Sequence, residues 1–120
     1  MAGGFMKKIA LFAFNGDSMC FIHVLLNAID LKEKGHEVRI ILEGSATKLV
    51  PDMAREESPL FRLYRQAKEQ GLFEGACKAC STKLNVVEAV EQQELTFLGD
   101  MSGHPSMSQY LREGYEIITF

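Results

Sequence analysis

Apolar residues run unbroken from Ile9 to Phe14 and stop at Asn15-Gly16, a pair that favours a turn. The segment Lys7 to Phe14 therefore reads as a short strand buried on both faces. Asp17 or Ser18 can cap a helix from about Met19 to Lys34, which Gly35 ends. Along that helix Met19, Cys20, Phe21, Ile22, Val24, Leu25, Leu26, Ala28, Ile29 and Leu31 are apolar, while His23, Asn27, Asp30 and Lys34 form one polar line. A stripe that wide predicts cover on two sides, by the helix's own sheet and by something else, such as a second copy of the chain. Glu37 to Leu42, rich in β-branched residues, predicts a second strand. Strand, helix and strand in this span make a βαβ unit, hence parallel pairing with a right-handed crossover.

Glu43 to Ser58 is less regular, with a short helix around Thr47 and a break at Pro51. Ser58-Pro59 reads as a cap followed by proline, opening a helix to about Gln70 that Gly71 closes. Phe73 to Ala79 is assigned as a strand mainly by the alternation of elements, since Gly75, Ala76 and Lys78 do not favour one. A helical turn at Ser81 to Leu84 and a helix from Val86 to Gln93 follow, with Leu95 to Leu98 either strand or loop. Pro105 starts a helix through Arg112, and Tyr115 to Phe120 is a terminal strand. The pattern predicts one α/β domain over residues 1–120, a three-layer α/β/α fold with a mostly parallel sheet of about five strands. Residues 1–6 are expected to form a loosely packed tail.

Composition narrows the function classes. With 120 residues, 13 Lys+Arg and 16 Asp+Glu, the chain suits one domain and carries a mild net negative charge. That balance argues against a nucleic-acid footprint, which clusters basic residues. No apolar stretch is long enough to span a membrane, and the run after Lys7-Lys8 is too short for a signal peptide. The expected compartment is the cytoplasm, where thiols stay reduced. The Asn15-Gly16-Asp17-Ser18 loop offers amides to an anion but is neither a Walker nor a dinucleotide fingerprint, so no cofactor is expected.

Cys77-Lys78-Ala79-Cys80 is the sharpest chemical signal. Two cysteines at that spacing can share a metal, close a disulfide, or pair a nucleophile with a resolving thiol; they can also be small buried hydrophobes. A zinc site normally takes four ligands, and no second pair here has ligand spacing, although His23, His36 or His104 would enlarge the set. Lys78 between the cysteines favours a thiolate. Cys77 follows a predicted parallel strand, at the sheet edge where ligands bind in such folds. Cys20 lies near the start of the long helix, within an apolar run, and reads chiefly as core. His104, beside Pro105, is a helix cap, a general acid or a thiolate partner.

The segment Gly75-Ala76-Cys77-Lys78-Ala79-Cys80-Ser81-Thr82-Lys83-Leu84-Asn85-Val86 resembles the cysteine segment of the DsrE/DsrF/TusD sulfur-relay family, whose YchN branch shares the fold. Cys77 falls on the family's cysteine, Lys83 in its basic turn, Asn85 on its glycine and Val86 on its valine. The strand–helix alternation, the Asn15–Ser18 loop and the closing Tyr115–Phe120 strand are similar too. Cys80 stands where members often carry alanine, so a dithiol replaces a lone thiol. The resemblance implies a DsrE-like fold and a sulfurtransferase-like carrier holding sulfane sulfur as a persulfide on Cys77, with Cys80 as the second thiol. Lys78, Cys20, Ser18 and His104 would support it. It also implies a homo-oligomer, trimer or hexamer, and a donor or acceptor protein as partner. The alternative is an oligomeric binding or regulatory module whose Cys77/Cys80 pair senses redox state or binds a metal.

Overall fold

The computed structural model describes residues 6–120; most of the expected tail falls on residues 1–5, outside the described residues. The first apolar run becomes strand β1, Lys8–Ala13. Helix α1, Ser18–Glu33, follows, with the Asp17 side chain accepting the Met19 amide as its cap. Strand β2, Glu37–Leu42, completes the βαβ unit. A 3-10 turn, Gly44–Lys48, leads into the short helix α2, Leu49–Met53, and then helix α3, Phe61–Glu69. Strand β3 is Phe73–Cys77, helix α4 Lys78–Lys83, helix α5 Val87–Gln92 and strand β4 Phe97–Leu98. Helix α6, Met107–Arg112, and strand β5, Glu116–Thr119, close the chain.

The five strands pair in the order β4-β3-β2-β1-β5, every pairing parallel. The three connections from β1 to β4 all step in one direction, so right-handed crossovers place their helices on one face. The return from β4 to β5 runs the other way and carries α6 across the opposite face. Alternation along the strands sorts the side chains accordingly. Ile9, Leu11, Ala13, Val38, Ile40 and Leu42 join Phe21, Val24, Leu25, Ala28 and Ile29 of α1 and Tyr64 of α3 in the main core. Ala10, Phe12 and Ile41 meet Tyr110 and Tyr115 in a thinner second layer. Beyond that layer the sheet face is polar: Arg39 pairs with Glu74 at 2.6 Å, the Tyr110 hydroxyl donates to Glu74 at 2.8 Å, and the Tyr115 hydroxyl donates to Glu37.

Several local expectations change, among them the start of α6, which is Met107 and not Pro105. Pro51 does not break the chain; it is the third residue of α2, where the helical turn begins and an amide donor is dispensable. Ser58 caps a turn through the Leu60 amide, and α3 starts only at Phe61. Cys20 is exposed, because the buried arc of α1 follows Phe21, Val24, Leu25, Ala28 and Ile29 and leaves its neighbour outside. Strand β3 stops at Cys77, two residues short, since Cys77 is already the cap of α4. Among the described residues, no helix is long and apolar enough to cross a membrane.

Gly75 explains why β3 carries a poor strand composition. The pairing of β2 with β3 shifts register between Ile40 and Ile41, leaving Glu74 as an extra residue. Beside that bulge, a Cβ on Gly75 would lie 2.2 Å from the Thr96 carbonyl oxygen. Gly75→Ala should lower stability by about 2–3 kcal/mol by forcing β4 away. The measurement is a lower urea midpoint at unchanged slope; an unchanged midpoint contradicts the close approach.

Candidate functional site

Three neighbouring strands bring their carboxyl ends to one edge. Strand β2 ends just before Glu43, β3 ends at Cys77, and the loop after β4 returns as a tight hairpin bearing His104. That hairpin is closed by hydrogen bonds from Met101 N to His104 O, 2.7 Å, and from His104 N to Met101 O, 2.9 Å. It lies on the first turn of α4, where the Ala79 amide donates to the Gly103 carbonyl at 2.8 Å. Gly103 has φ +90°, and a Cβ there would sit 3.1 Å from the Ala79 Cβ, so any residue other than glycine would be strained and crowded.

The hairpin places the His104 Nδ1 atom 3.1 Å from the Cys77 sulfur and 3.7 Å from the Cys80 sulfur. The Glu43 Oε1 atom lies 3.8 Å from the same nitrogen. Cys77 caps α4, its sulfur accepting the Cys80 amide at 3.3 Å and approaching the Gly103 carbonyl at 3.6 Å. The donor atoms of Glu43, Cys77, Cys80 and His104 all fall within 4.8 Å of one another. Cys77 is sealed from solvent, Glu43 is 7% exposed, and Cys80 is half-buried. The His104 side chain is 42% exposed and covers the group from outside.

Burial dominates the electrostatics. It pushes the Cys77 thiol up to about 12; the Cys80 amide opposes that rise most, and the neighbouring Cys80 thiol and the Glu43 charge add to it more weakly. Burial also raises the Glu43 carboxyl, opposed by His104 and by its contact with Cys77. All three partners of His104 meet one ring nitrogen. A proton relay of the Ser-His-Asp kind uses opposite nitrogens of the ring, so this arrangement is convergent and not linear.

Of the residues singled out from the sequence, Cys77, Cys80 and His104 come together. Lys78 is exposed on the first turn of α4 and makes no ion pair among those found in the described residues. Cys20 and Ser18 belong to α1, outside the cluster. The loop before them engages its own amides: Gly16 N donates to Ser45 Oγ and Asp17 N to Asn15 Oδ1. His36 accepts the Lys7 amide at the start of β2, at the opposite sheet edge. Glu43 is the residue sequence reasoning missed. The signal was its place as the first charged residue after Ile40-Ile41-Leu42, at the carboxyl end of a predicted parallel strand.

This is an all-parallel α/β protein with a thiol–imidazole–carboxylate cluster at the carboxyl edge of its sheet. No established protein-family model matches the chain. It is 39% identical over 123 residues to the uncharacterized protein MJ0733 of Methanocaldococcus jannaschii, covering 98% of each chain, and belongs to that protein's family. An uncharacterized protein of Archaeoglobus fulgidus is 41% identical over 59 residues, 49% of this chain and 95% of that one. Among solved structures, the conserved protein of unknown function BT1422 from Bacteroides thetaiotaomicron aligns with a TM-score of 0.70 over 95% of each chain. At 18% identity that likeness shows a shared fold.

Alkylation of the reduced protein should follow exposure and thiol acidity. At pH 8, Cys20 should react first and Cys80 next. Cys77, with its thiol at about 12, should react on the order of a thousandfold more slowly than an ordinary cysteine, and faster as pH rises. Peptide mapping by mass spectrometry reads the order; rapid labelling of Cys77 at neutral pH contradicts it.

Proposed function

We propose that the chain is a sulfur carrier of the sulfurtransferase-like, DsrE-like class, acting through the Cys77–Cys80 dithiol. The observation that carries this reading is the asymmetry of the pair: a sealed Cys77 beneath a half-buried Cys80, with His104 Nδ1 in reach of both sulfurs. The resemblance of the cysteine segment to the sulfur-relay family supplies the reaction class. Burial of Cys77 moves the point of contact with a donor from Cys77 to Cys80.

The chemistry is thiol–disulfide-like exchange. His104 takes the Cys80 proton, and the Cys80 thiolate attacks the outer sulfur of a donor persulfide. The donor's S–S bond breaks, and its thiolate leaves and takes up a proton. Cys80 now holds the sulfane sulfur. It either yields that sulfur to an acceptor thiol, or Cys77 attacks its inner sulfur, forming the Cys77–Cys80 disulfide and releasing hydrosulfide. The partner is a cytoplasmic donor or acceptor protein. The carrier works as a homo-oligomer, to which the exposed Met19 and Leu26 of α1 offer apolar surface.

Incubation with a small-molecule persulfide donor, in the presence of a metal chelator, tests the reading by intact mass. Wild type and Cys77→Ala should gain sulfur, and Cys80→Ala should not. Only wild type should then lose hydrosulfide and close a disulfide. A wild-type protein that gains no sulfur removes the proposal. Light scattering on a size-exclusion column should give a multiple of the 13.4 kDa chain mass; a monomer removes the oligomeric part.

A further inference from the structure

Sulfur carriage leaves Glu43 without a task. A carboxylate is costly to bury unless a cation or donors compensate it. Glu43 is 7% exposed, and among the described residues its one partner in ion-pair reach is His104, which the two sulfurs also approach. A negative charge beside a thiol that must ionise is the wrong sign for a nucleophile, since it opposes thiolate formation. Two thiols, an imidazole nitrogen and a carboxylate oxygen facing one small volume fit a different task.

We infer that Glu43, Cys77, Cys80 and His104 form a four-coordinate site for a borderline-soft divalent cation, with zinc the ion that fits best. Zinc bound tetrahedrally at about 2.0–2.3 Å spaces its S, N and O ligand atoms roughly 3.3–3.8 Å apart. The observed spacings from His104 Nδ1 are 3.1, 3.7 and 3.8 Å and all four donor atoms lie within 4.8 Å of one another, so side-chain adjustments of up to about 1 Å seat the ion. Two thiolates disfavour calcium and magnesium, which take oxygen ligands, and the carboxylate disfavours copper(I). The surroundings orient the ligands as metal sites require: the Cys80 amide holds the Cys77 sulfur, and the Gly103–Ala79 hydrogen bond holds the His104 hairpin. Binding replaces two S–H bonds with two Zn–S bonds and releases two protons. Three separate segments, the end of β2, the first turn of α4 and the hairpin after β4, would then be joined through one ion.

The site shares its sulfurs with the carrier reading but does not rest on it. A bound ion occupies both thiols, so metal-loaded protein takes up no sulfane sulfur until the ion leaves.

The test uses the full chain, reduced and stripped with a chelator. Zinc is titrated in competition with a chromogenic chelator, and cobalt(II) is titrated as an optical probe. We expect one ion per chain, a thiolate-to-cobalt charge-transfer band in the near ultraviolet, and visible bands of tetrahedral intensity. Cys77→Ser and Cys80→Ser should abolish the charge-transfer band or change its intensity, and Cys20→Ser should leave it unchanged. Glu43→Gln and His104→Ala should weaken zinc affinity by more than about tenfold. Wild type that retains no zinc and shows no cobalt–thiolate band overturns the site, as does Glu43→Gln binding zinc as tightly as wild type. Zinc binding by a protein that gains no sulfur from a persulfide donor supports the site and removes the carrier. Sulfur uptake without any metal binding does the reverse.

Discussion

Parallel pairing is the constraint on which the rest of the molecule depends. It sends the carboxyl ends of β2, β3 and β4 to one edge, and the register then decides which residues stand level. Leu42 pairs with Ala76 and Cys77 with Leu98. The residue after Leu42 is therefore level with Cys77, and the chain leaving Leu98 starts beside it. A slip of one residue would point Glu43 away and turn Cys77 toward the other face, because side chains alternate along a strand. The main core makes such a slip expensive, since Ile40, Leu42 and Ala76 are fully buried.

The second requirement is the closing of the His104 hairpin onto α4. Without it, Cys77 and Glu43 would be polar groups at an apolar edge, facing water or nothing. The hairpin replaces that exposure with an imidazole and a carbonyl, and its own backbone is satisfied by the Met101–His104 pair. Gly103 is where the approach is tightest: its carbonyl accepts from Ala79 while its missing side chain admits the α4 turn. Position and chemistry are thus coupled through one residue that itself carries no reactive atom.

Much of this was legible in the chain. The unbroken apolar run of β1, the Gly35 stop and the β-branched β2 define the βαβ unit, and the Cys77–Cys80 spacing marks the edge that carries the cluster. What stayed hidden depends on three-dimensional proximity. Glu43 is one of 16 acidic residues, and only the register distinguishes it. His104 was legible only as a cap, a general acid or a thiolate partner, and what selects the thiols is a hairpin whose turn residues, Ser102 and Gly103, both have positive φ. Cys20 reads as core in the sequence because Met19, Cys20, Phe21 and Ile22 are consecutive apolar residues, so periodicity does not say which side is covered. Gly75 weakened the case for β3, although that strand needs a glycine where β4 crosses close to it.

The two chemistries drawn from this cluster ask opposite things of the buried carboxylate. For a thiol nucleophile, Glu43 raises the cost of the thiolate, and Cys77 is held neutral as the inner, responding sulfur. For a cation site, the same charge is a ligand, and the ion's two positive charges reverse every local preference, stabilising both thiolates and the carboxylate together. A neutral, sealed Cys77 and an ionised Cys77 are thus one geometry under two charge conditions. On the proposed site, a cation at the point where the donor atoms converge would switch one condition to the other.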